Sequence, residues 1–349
     1  MKRSDYRYVA ILAAAVFSVC LFSGCALPSP VPADDSAVAQ DSTFSSDADS
    51  AATSLISVTD MAGNAIQMDA YASRIVVLDA ADCEILCAIG ASEQIVGRSE
   101  ACDYPDTIDS VPYVTADGIP SPELILELNP QAVVMNAEDA ENADLLADLQ
   151  SADIPVVVTD ATSISGVYTA VTLLGTIADH VAEAGSLVAD MLTTFAAIEE
   201  ETSGTSLGSV YFELSPLADG LETAGSDTLL NDVAALLGLK NEFEDLEGYM
   251  AVSADQVIGR DPDIIITTTP DGVESTVDDQ QSDGESSGNA LSAVDEIMER
   301  TGWENIKAVV RQDVYAVDGD ALLRPGPRLV EAVSALYELL YAVPAELTY

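Results

Sequence analysis

The chain has 349 residues, of which 60 are acidic and 12 are basic, so its formal net charge at neutral pH is −48. Hydrophobic residues make up 48% of it, which excludes a mostly disordered protein, and the length is sufficient for two domains. A surface this acidic repels nucleic acid and anionic lipid headgroups, so neither is an expected partner. We interpret the acidity as a solubilising shell or an adaptation to salt rather than as a dedicated trap for cations.

Residues 1–24 have the pattern of a bacterial lipoprotein signal peptide. Three basic residues precede an apolar run that is too short for a mature membrane span, and small residues then lead into Cys25 in "LFSGC". We expect cleavage before Cys25 and lipidation of its sulfur; an ordinary secretory signal with an incidental cysteine is the alternative. Residues 25–54 lack apolar periodicity and are rich in Ser, Ala, Asp and Pro, which predicts a flexible tether. The folded part is therefore expected outside the cytoplasm, held at the cell membrane.

Two segments of the chain repeat one pattern. "SPELILELNPQAVVM" at 121–135 aligns without gaps with "SADQVIGRDPDIIIT" at 253–267. Each has a Ser that can cap a helix, an acid in the first helical turn, a break before Pro, and a run of apolar residues typical of a buried strand. A strand and a helix precede each copy. This repetition predicts two similar α/β lobes, at residues 55–162 and 204–349.

The segment between the lobes, residues 163–203, has helical periodicity almost throughout, with a break near Asp179–His180. A helix of about 20 residues spans ~30 Å, so we expect a long rigid helix that joins the lobes. Ligands of open α/β sheets bind at the carboxyl ends of the strands, which predicts a ligand cleft between the lobes. The polar, acidic stretch at 270–291 is predicted to be an exposed loop insertion in the second lobe.

Several segments between Ile56 and Tyr341 resemble, in order and spacing, one family of binding proteins. They are "RIVVLDAADCEILCAIGA", "SPELILELNPQAVVM", "TAGSDTLLNDVAALLGLKN", "VSADQVIGRDPDIIIT" and "GWENIKAVVRQDVYAVDGDALLRPGPRLVEAVSALYELLY". The family is that of the substrate-binding proteins of ABC importers with a helical backbone, which serve ferric siderophores, haem and cobalamin. The resemblance implies a receptor without catalysis that captures its ligand between two lobes and delivers it to a permease dimer with its ATPase.

The resemblance also implies a docking role for two acids. In relatives, one acid at the start of a surface helix in each lobe meets arginines of the permease, and the matching positions here are Glu123 and Asp255. Position 255 carries the shorter Asp where relatives often carry Glu. The alternative is that both acids only favour the helix dipole, which contributes about 0.3–1 kcal/mol each.

Enzymatic function is disfavoured by the absence of familiar catalytic patterns. The sequence has no Gly-x-Ser-x-Gly nucleophile turn, no Gly-x4-Gly-Lys phosphate loop and no second His for acid–base work. A surface receptor that is not coupled to transport remains the third alternative.

The residue types constrain the ligand only partly. Bare zinc or manganese would require several His, and the chain has only His180, which we interpret as a solvated or packing residue. Haem requires an axial ligand; Tyr104 could serve, but no second one is evident. Cobalamin receptors use aromatic walls, whereas the single Trp303 is interpreted as a packing residue. Ferric siderophores are bound by Arg and Tyr, which favours Arg324 and its neighbour Arg328, although Arg324 could instead pin its loop by pairing with an acid.

The remaining candidate contacts follow from position at the ends of predicted strands. Each could equally be an ordinary loop residue, and helix capping would explain Asp82 equally well. The complete set of expected ligand contacts is Tyr104, Asp82, Asn136, Glu213, Ser215, Thr268 and Arg324. No resident cofactor and no metal-ligand set are expected; a ferric siderophore, cobalamin or haem would be cargo.

With Cys20 removed in the signal and Cys25 lipidated, three cysteines remain, and an odd number excludes a complete disulfide framework. Cys102, in "SEACDYPDTI" at 99–108, could pair with Cys83 or Cys87, which lie one helical turn apart and should not readily pair with each other. A metal site in this loop is disfavoured because one thiol with one neighbouring acid is a poor ligand set. The loop is predicted to present Tyr104 as a wall of the ligand site, with Cys102 in a structural role behind it.

Overall fold

A computed structural model describes residues 56–116, 118–270 and 292–341. The expected signal peptide, the tether, the lipidation site at Cys25 and all but the first residue of the 270–291 insertion lie outside these ranges.

The N-terminal lobe is built on a four-stranded parallel sheet. Its elements in chain order are β1 (Ile56–Thr59), β2 (Ala65–Met68), β3 (Ile75–Val77), α1 (Ala80–Ala88), β4 (Ile95–Arg98), β5 (Thr115–Ala116), β6 (Ile119–Pro120), α2 (Pro122–Glu127), β7 (Ala132–Asn136), α3 (Ala143–Ser151) and β8 (Val156–Thr159). The strand order is β4–β3–β7–β8. Two small antiparallel hairpins, β1–β2 and β5–β6, accompany this sheet.

Two helices connect the lobes, α4 (Ile164–Ile177) and α5 (Val181–Thr202). The predicted break is confirmed, because Asp179 has a left-handed backbone (φ 62°) between them. His180 lies at the start of α5 rather than inside one continuous helix, and its Nε2 is 3.2 Å from Nε2 of Gln94.

The C-terminal lobe repeats the plan of the first. Its elements are β9 (Gly208–Glu213), β10 (Glu222–Ala224), α6 (Leu229–Leu236), β11 (Leu239–Asn241), β12 (Tyr249–Ala251), α7 (Ala254–Arg260), β13 (Ile264–Thr267), α8 (Ala293–Glu299), α9 (Lys307–Arg311), β14 (Val314–Ala316), α10 (Gly319–Leu323) and α11 (Leu329–Tyr341). The four-stranded sheet has the order β11–β9–β13–β14, and every pair in it is parallel. The short strands β10 and β12 pair antiparallel beside it.

The repeated segments fold as the sequence predicts. Ser121 caps α2, since its Oγ accepts a hydrogen bond from the backbone N–H of Leu124 at 3.4 Å. Ser253 caps α7 in the same way, and the Gln256 side chain accepts from the Ser253 N–H at 2.8 Å, which completes a capping box. A buried strand follows each helix, so the expected pair of α/β lobes joined by helices is confirmed.

One apolar core runs from the first sheet through the connecting helices into the second. It contains Ile75 of β3, Leu174 of α4, Phe195 of α5 and Val210 of β9. Among the described residues, α5 is the one helix long and apolar enough to cross a membrane. Its buried residues pack into this core instead, with contacts to α4, α6 and α11, so here α5 acts as the connector between the lobes.

Candidate ligand-binding cleft

Two cavities lie where the strands of the N-terminal sheet end. The larger, of about 260 Å³, lies beyond β3, β4 and β7, and Asp79 and Asn136 are among its lining residues. The smaller, of about 140 Å³, shares these two residues, and its lining also includes Pro325 of the C-terminal lobe. A concavity of about 570 Å³ lies at the opposite edge of the same sheet, where the strands begin, and it is lined by the N-terminal lobe alone. The expectation of a cleft at the carboxyl ends therefore points to the two smaller cavities.

Asp79 organises the N-terminal wall of this cleft. Its Oδ1 caps α1 by accepting hydrogen bonds from the N–H groups of Ala81 (2.9 Å) and Asp82 (3.2 Å). Its Oδ2 accepts from Nδ2 of Asn136 at 3.1 Å, which ties the end of β7 to the start of α1. The suggestion that Asp82 caps this helix is therefore wrong, because the capping residue lies three positions earlier.

Asp82 lies inside the first turn of α1 and is almost completely buried. Burial raises the pKa of its carboxyl well above the usual range, and the neighbouring Asp79 carboxylate adds to this effect. A hydrogen bond of 2.7 Å from Oγ1 of Thr159 works in the opposite direction. The carboxyl that lines the smaller cavity is therefore biased towards its uncharged form.

A cluster of four charged side chains joins the two lobes. Glu84 of α1 accepts hydrogen bonds from Arg328 at 2.7 and 3.1 Å and from Nη1 of Arg324 at 3.2 Å. Arg324 also donates to the two carboxylate oxygens of Asp103, at 2.6 and 3.3 Å. Glu84 is 3% exposed, so this carboxylate is a buried charge that two arginines of the other lobe neutralise.

The sequence left two roles open for Arg324, and the structure shows the pairing role. Burial opposes its charge, yet the hydrogen bonds to Asp103 and Glu84 outweigh this and raise the pKa of the guanidinium. The same contact lowers the pKa of Asp103. Tyr104, expected as a cleft wall, is 42% exposed, and Cζ of Arg328 lies 4.3 Å from the centroid of its ring. The loop that follows β4 thus supplies both an acid and an aromatic ring to the cluster.

Besides Arg324, three expected contacts lie in the C-terminal lobe, and the carboxylate of one of them is already paired within the protein. Glu213 is 1% exposed and forms a two-pronged ion pair with Arg300, at 2.8 and 2.9 Å. Burial raises the pKa of Glu213, which the Arg300 contact partly offsets. Ser215 and Thr268 are half-buried beyond the same strand ends, and the N–H of Thr268 donates to the Glu213 carbonyl at 3.0 Å.

Trp303 has the packing role that the sequence suggested. It is 1% exposed, its ring lies 6.2 Å from that of Tyr211, and Cζ of Arg300 lies 4.2 Å from its centroid. It therefore supports the Glu213–Arg300 pair from inside the lobe rather than lining the cleft.

The three cysteines of the described ranges, Cys83, Cys87 and Cys102, are free thiols, so the suggested pairing of Cys102 with Cys83 or Cys87 is not formed. Cys102 is buried, and its sulfur lies 3.4 Å from the carbonyl oxygen of Asp79 and 3.3 Å from Oγ of Ser99. This position beneath the cleft loop fits a structural role. Within the described ranges, no group of three or more His, Cys, Asp or Glu residues is arranged to hold a metal ion.

The sequence of this fold matches the model of the periplasmic binding protein family over residues 75–321. The chain belongs to this family. The match includes both parallel sheets and ends just before the loop that carries Arg324. The family resemblance noted from the sequence is thereby confirmed.

Relatives of this periplasmic binding protein include one whose description names no ligand and one that is described as binding cobalamin. The Bacillus subtilis protein YvrC, described as an uncharacterized ABC transporter substrate-binding lipoprotein, is 29% identical over 291 residues, which are 82% of this chain and 85% of that protein. A cobalamin-binding protein of Halobacterium salinarum is 27% identical over 300 residues, which are 83% of this chain and 75% of that protein.

Solved structures share the fold. A Staphylococcus epidermidis protein described as a possible iron-binding, periplasmic solute-binding protein aligns with a TM-score of 0.64 at 28% identity, covering 78% of this chain and 100% of its own. The vitamin B12-binding protein BtuF of Vibrio cholerae aligns with a TM-score of 0.62 at 21% identity, covering 78% of this chain and 97% of its own. The second likeness concerns the fold alone.

Sequence reasoning missed the residues that join the lobes of this periplasmic binding protein. Glu84 and Asp103 were not singled out, although an acid in the apolar segment "DCEILC" signals a buried charge that needs a basic partner. Thr115 was also missed. It is 8% exposed, lines the larger cavity, and its hydroxyl has no hydrogen-bond partner within the protein. An unsatisfied buried hydroxyl on a cavity wall is available to a bound molecule.

Proposed function

We propose that this periplasmic binding protein is the solute receptor of an ABC importer and captures a metal chelate, a ferric siderophore or a corrinoid, between its lobes. The observation that carries the proposal is the meeting of Glu84 and Asp103 with Arg324 and Arg328, beside cavities at the ends of the strands. Relatives support the ligand class, because one is a substrate-binding lipoprotein of an ABC transporter and another is a cobalamin-binding protein. None of these descriptions is that of an enzyme.

The delivery step is assigned to one acid on each lobe. Glu123 and Asp255 are both exposed in the first turns of α2 and α7, the two helices of the repeat. An aliphatic side chain is exposed beside each, since Leu124 and Ile258 both show 37% of their surface. An acid with an apolar neighbour on each lobe gives a permease dimer two equivalent contacts, in which charge mainly sets register and rate of association.

Attachment to the membrane rests on the lipidation of Cys25, with residues 25–54 as the tether. This position would keep the receptor on the outer side of the membrane, next to its permease, which in turn would be coupled to the ATPase on the cytoplasmic side. The description of the Bacillus subtilis relative as a lipoprotein supports this assignment.

Two alternatives compete with this function. A haem receptor would use Tyr104, which is exposed at the rim of the cluster, as an axial ligand. A receptor without a transporter would bind the same ligand but would not need Glu123 or Asp255. Both alternatives keep the fold and change either the cargo or the partner.

Calorimetric titration of the full-length lipoprotein in detergent tests the proposal. Cyanocobalamin, ferrioxamine B and haemin are added in separate titrations, and we expect one of the first two to bind with a stoichiometry of one per chain. Tyr104→Ala should weaken that binding, whereas Tyr71→Ala should not, although Tyr71 is equally exposed (41% against 42%). Binding of haemin alone would favour the haem alternative, and no binding at all would contradict the proposal.

A further inference from the structure

The charges around the cleft are balanced in an unusual way. Arg324 is in contact with three acids, Glu84, Asp103 and Asp320, and Arg328 is paired with Glu84 and lies 3.9 Å from Asp318. Both arginines therefore have their positive charge matched within the protein. A chelate that enters the cleft finds no unpaired guanidinium at this junction.

The walls of the two cavities at the strand ends are acidic. Among the described residues, no lysine or arginine lines either of the two cavities at the strand ends. Carboxyl groups do line them, and Asp79 belongs to both. The other carboxylates of the two walls are Glu100, Asp139 and Asp160, while the buried Asp82 is biased towards its uncharged form.

An anionic ligand would have to displace Glu84 from the arginines to gain their charge. Because Glu84 is 3% exposed and lies in α1, it cannot move out to water without movement of the helix. Displacement would leave a buried carboxylate without its partners, and such a loss is costly. Two effects therefore disfavour a negatively charged chelate. The acidic walls repel it, and its binding to the arginines would leave the buried Glu84 carboxylate without a partner.

We infer that Glu84 sets the charge specificity of this cleft, so that it accepts an uncharged or cationic metal chelate and discriminates against an anionic one. This inference rests on the proposed function, and it narrows the ligand class within it. Specificity of this kind arises as much from repulsion of the wrong ligand as from attraction of the right one.

The test uses two pairs of probe molecules. The members of each pair share a chemical scaffold and differ in net charge. The corrinoid pair is cyanocobalamin, which is uncharged, and its monocarboxylic acid, which is anionic at neutral pH. The hydroxamate pair is ferrioxamine B, which is cationic, and its N-succinyl derivative, which is anionic. Affinities are measured by calorimetry on the full-length lipoprotein at low ionic strength, because salt screens the effect.

For whichever of the two pairs the protein binds, we expect the anionic probe to bind at least about tenfold more weakly than its uncharged or cationic partner. Equal or tighter binding of the anionic member would overturn the inference and leave the receptor function intact. If neither the corrinoid pair nor the hydroxamate pair binds, the proposed function is overturned, and with it this inference.

Two variants assign the discrimination to the charge cluster. Glu84→Gln should reduce the difference in affinity between the two members of a probe pair by about tenfold, because it leaves positive charge unmatched at the junction of the lobes. Asp103→Asn removes one exposed partner of Arg324, so it should reduce the affinity difference within a pair of probes in the same way, and the loss of an exposed charge should disturb folding less than the loss of Glu84. Asp245→Asn is the matched control, since this exposed acid pairs with Arg260 outside the cleft. If the affinity difference within a probe pair is unchanged in both Glu84→Gln and Asp103→Asn, the proposed role of Glu84 is overturned.

Discussion

Arg328 and Glu84 lie 244 residues apart in the chain and are joined by two hydrogen bonds, of 3.1 and 2.7 Å. The arginine precedes α11 of one lobe, and the acid lies in α1 of the other. Gly326 lies in the same loop, and a Cβ at this position would contact Oε2 of Glu84 at 3.4 Å. The close approach of this loop to α1 thus joins the lobes directly through charge.

The first prediction concerns the stability of this junction. Glu84→Ala leaves two arginines without their buried partner, and breaking such a pair costs about 3–5 kcal/mol. Urea unfolding should report this loss in the free energy of unfolding. Asp245→Ala removes an exposed partner of Arg260 and should lower the free energy of unfolding far less, because water screens an exposed pair. Equal losses in the two variants would show that the Glu84 cluster does not hold the lobes.

The second prediction concerns the pH dependence caused by Asp82. Burial raises the pKa of this carboxyl in the folded state, while in the unfolded chain it is about 3.9. Its contribution to stability is therefore fully present below the unfolded pKa and is lost as the pH rises through the folded pKa. Asp82→Asn keeps the size of the side chain without its charge, so we expect the variant to gain stability relative to the wild type as the pH increases from 4 to 7.

Denaturant unfolding at several pH values measures this difference. Asp148→Asn, a substitution at an exposed position of α3, provides the control and should follow the wild type at each pH. Parallel curves for Asp82→Asn and the wild type would contradict the raised pKa.

The third prediction concerns docking. The double variant Glu123→Ala/Asp255→Ala should lower ligand uptake by cells about tenfold or more, because charge pairs accelerate association with the permease. The affinity of the purified protein for its ligand should not change, since both acids are exposed in the first turns of α2 and α7 and line neither cavity at the strand ends. Normal uptake by this variant would favour a receptor that is not coupled to transport.

A matched pair of acids controls for the loss of charge alone. Glu127 lies at the end of α2, and Glu199 lies on α5, and both are exposed. The variant Glu127→Ala/Glu199→Ala removes the same charge and should retain full uptake. A decrease equal to that of the docking variant would attribute the effect to net charge instead.

The fourth prediction concerns the order in which the thiols react. Cys87 is partly exposed, and a hydrogen bond with Cys83 lowers its pKa. Cys83 is buried, and hydrogen bonds with Cys102 and Cys87 raise its pKa. A hydrogen bond with Cys83 also lowers the pKa of Cys102, but that thiol is buried. Because the reactive form is an accessible thiolate, iodoacetamide should modify Cys87 first in the folded protein. Mass spectrometry of peptides checks the order; earlier modification of Cys83 or Cys102, or a disulfide between them, would contradict it.

The fold could be predicted because its signals are local. The caps at Ser121 and Ser253 and the breaks at Pro130 and Pro262 each depend on a few neighbouring residues, and their repetition marked two similar lobes. The short pairs β5–β6 and β10–β12 were not predicted, since strands of two or three residues leave too little alternation to detect.

The site was harder to predict because its contacts are distant in sequence. Tyr104 and Arg324 were selected from the loops that carry them, and the structure brings both loops to one cluster. Nothing local shows that the carboxylate of Glu213 is engaged by Arg300, 87 residues later. Nor does any local pattern identify Glu84 as the partner of Arg328, because that pairing depends on how two lobes meet.

Hydrogen–deuterium exchange with and without the ligand tests most directly whether capture occurs between the lobes. The ligand is cyanocobalamin, or ferrioxamine B if calorimetry shows that the protein binds that chelate instead. At a saturating concentration of the ligand, we predict slower exchange in both lobes at once. The protected segments should be 78–84, 99–105 and 136–139 in the first lobe and 317–328 in the second. Protection confined to one lobe, or to the opposite edge of the N-terminal sheet near 67–70 and 152–155, would contradict the account.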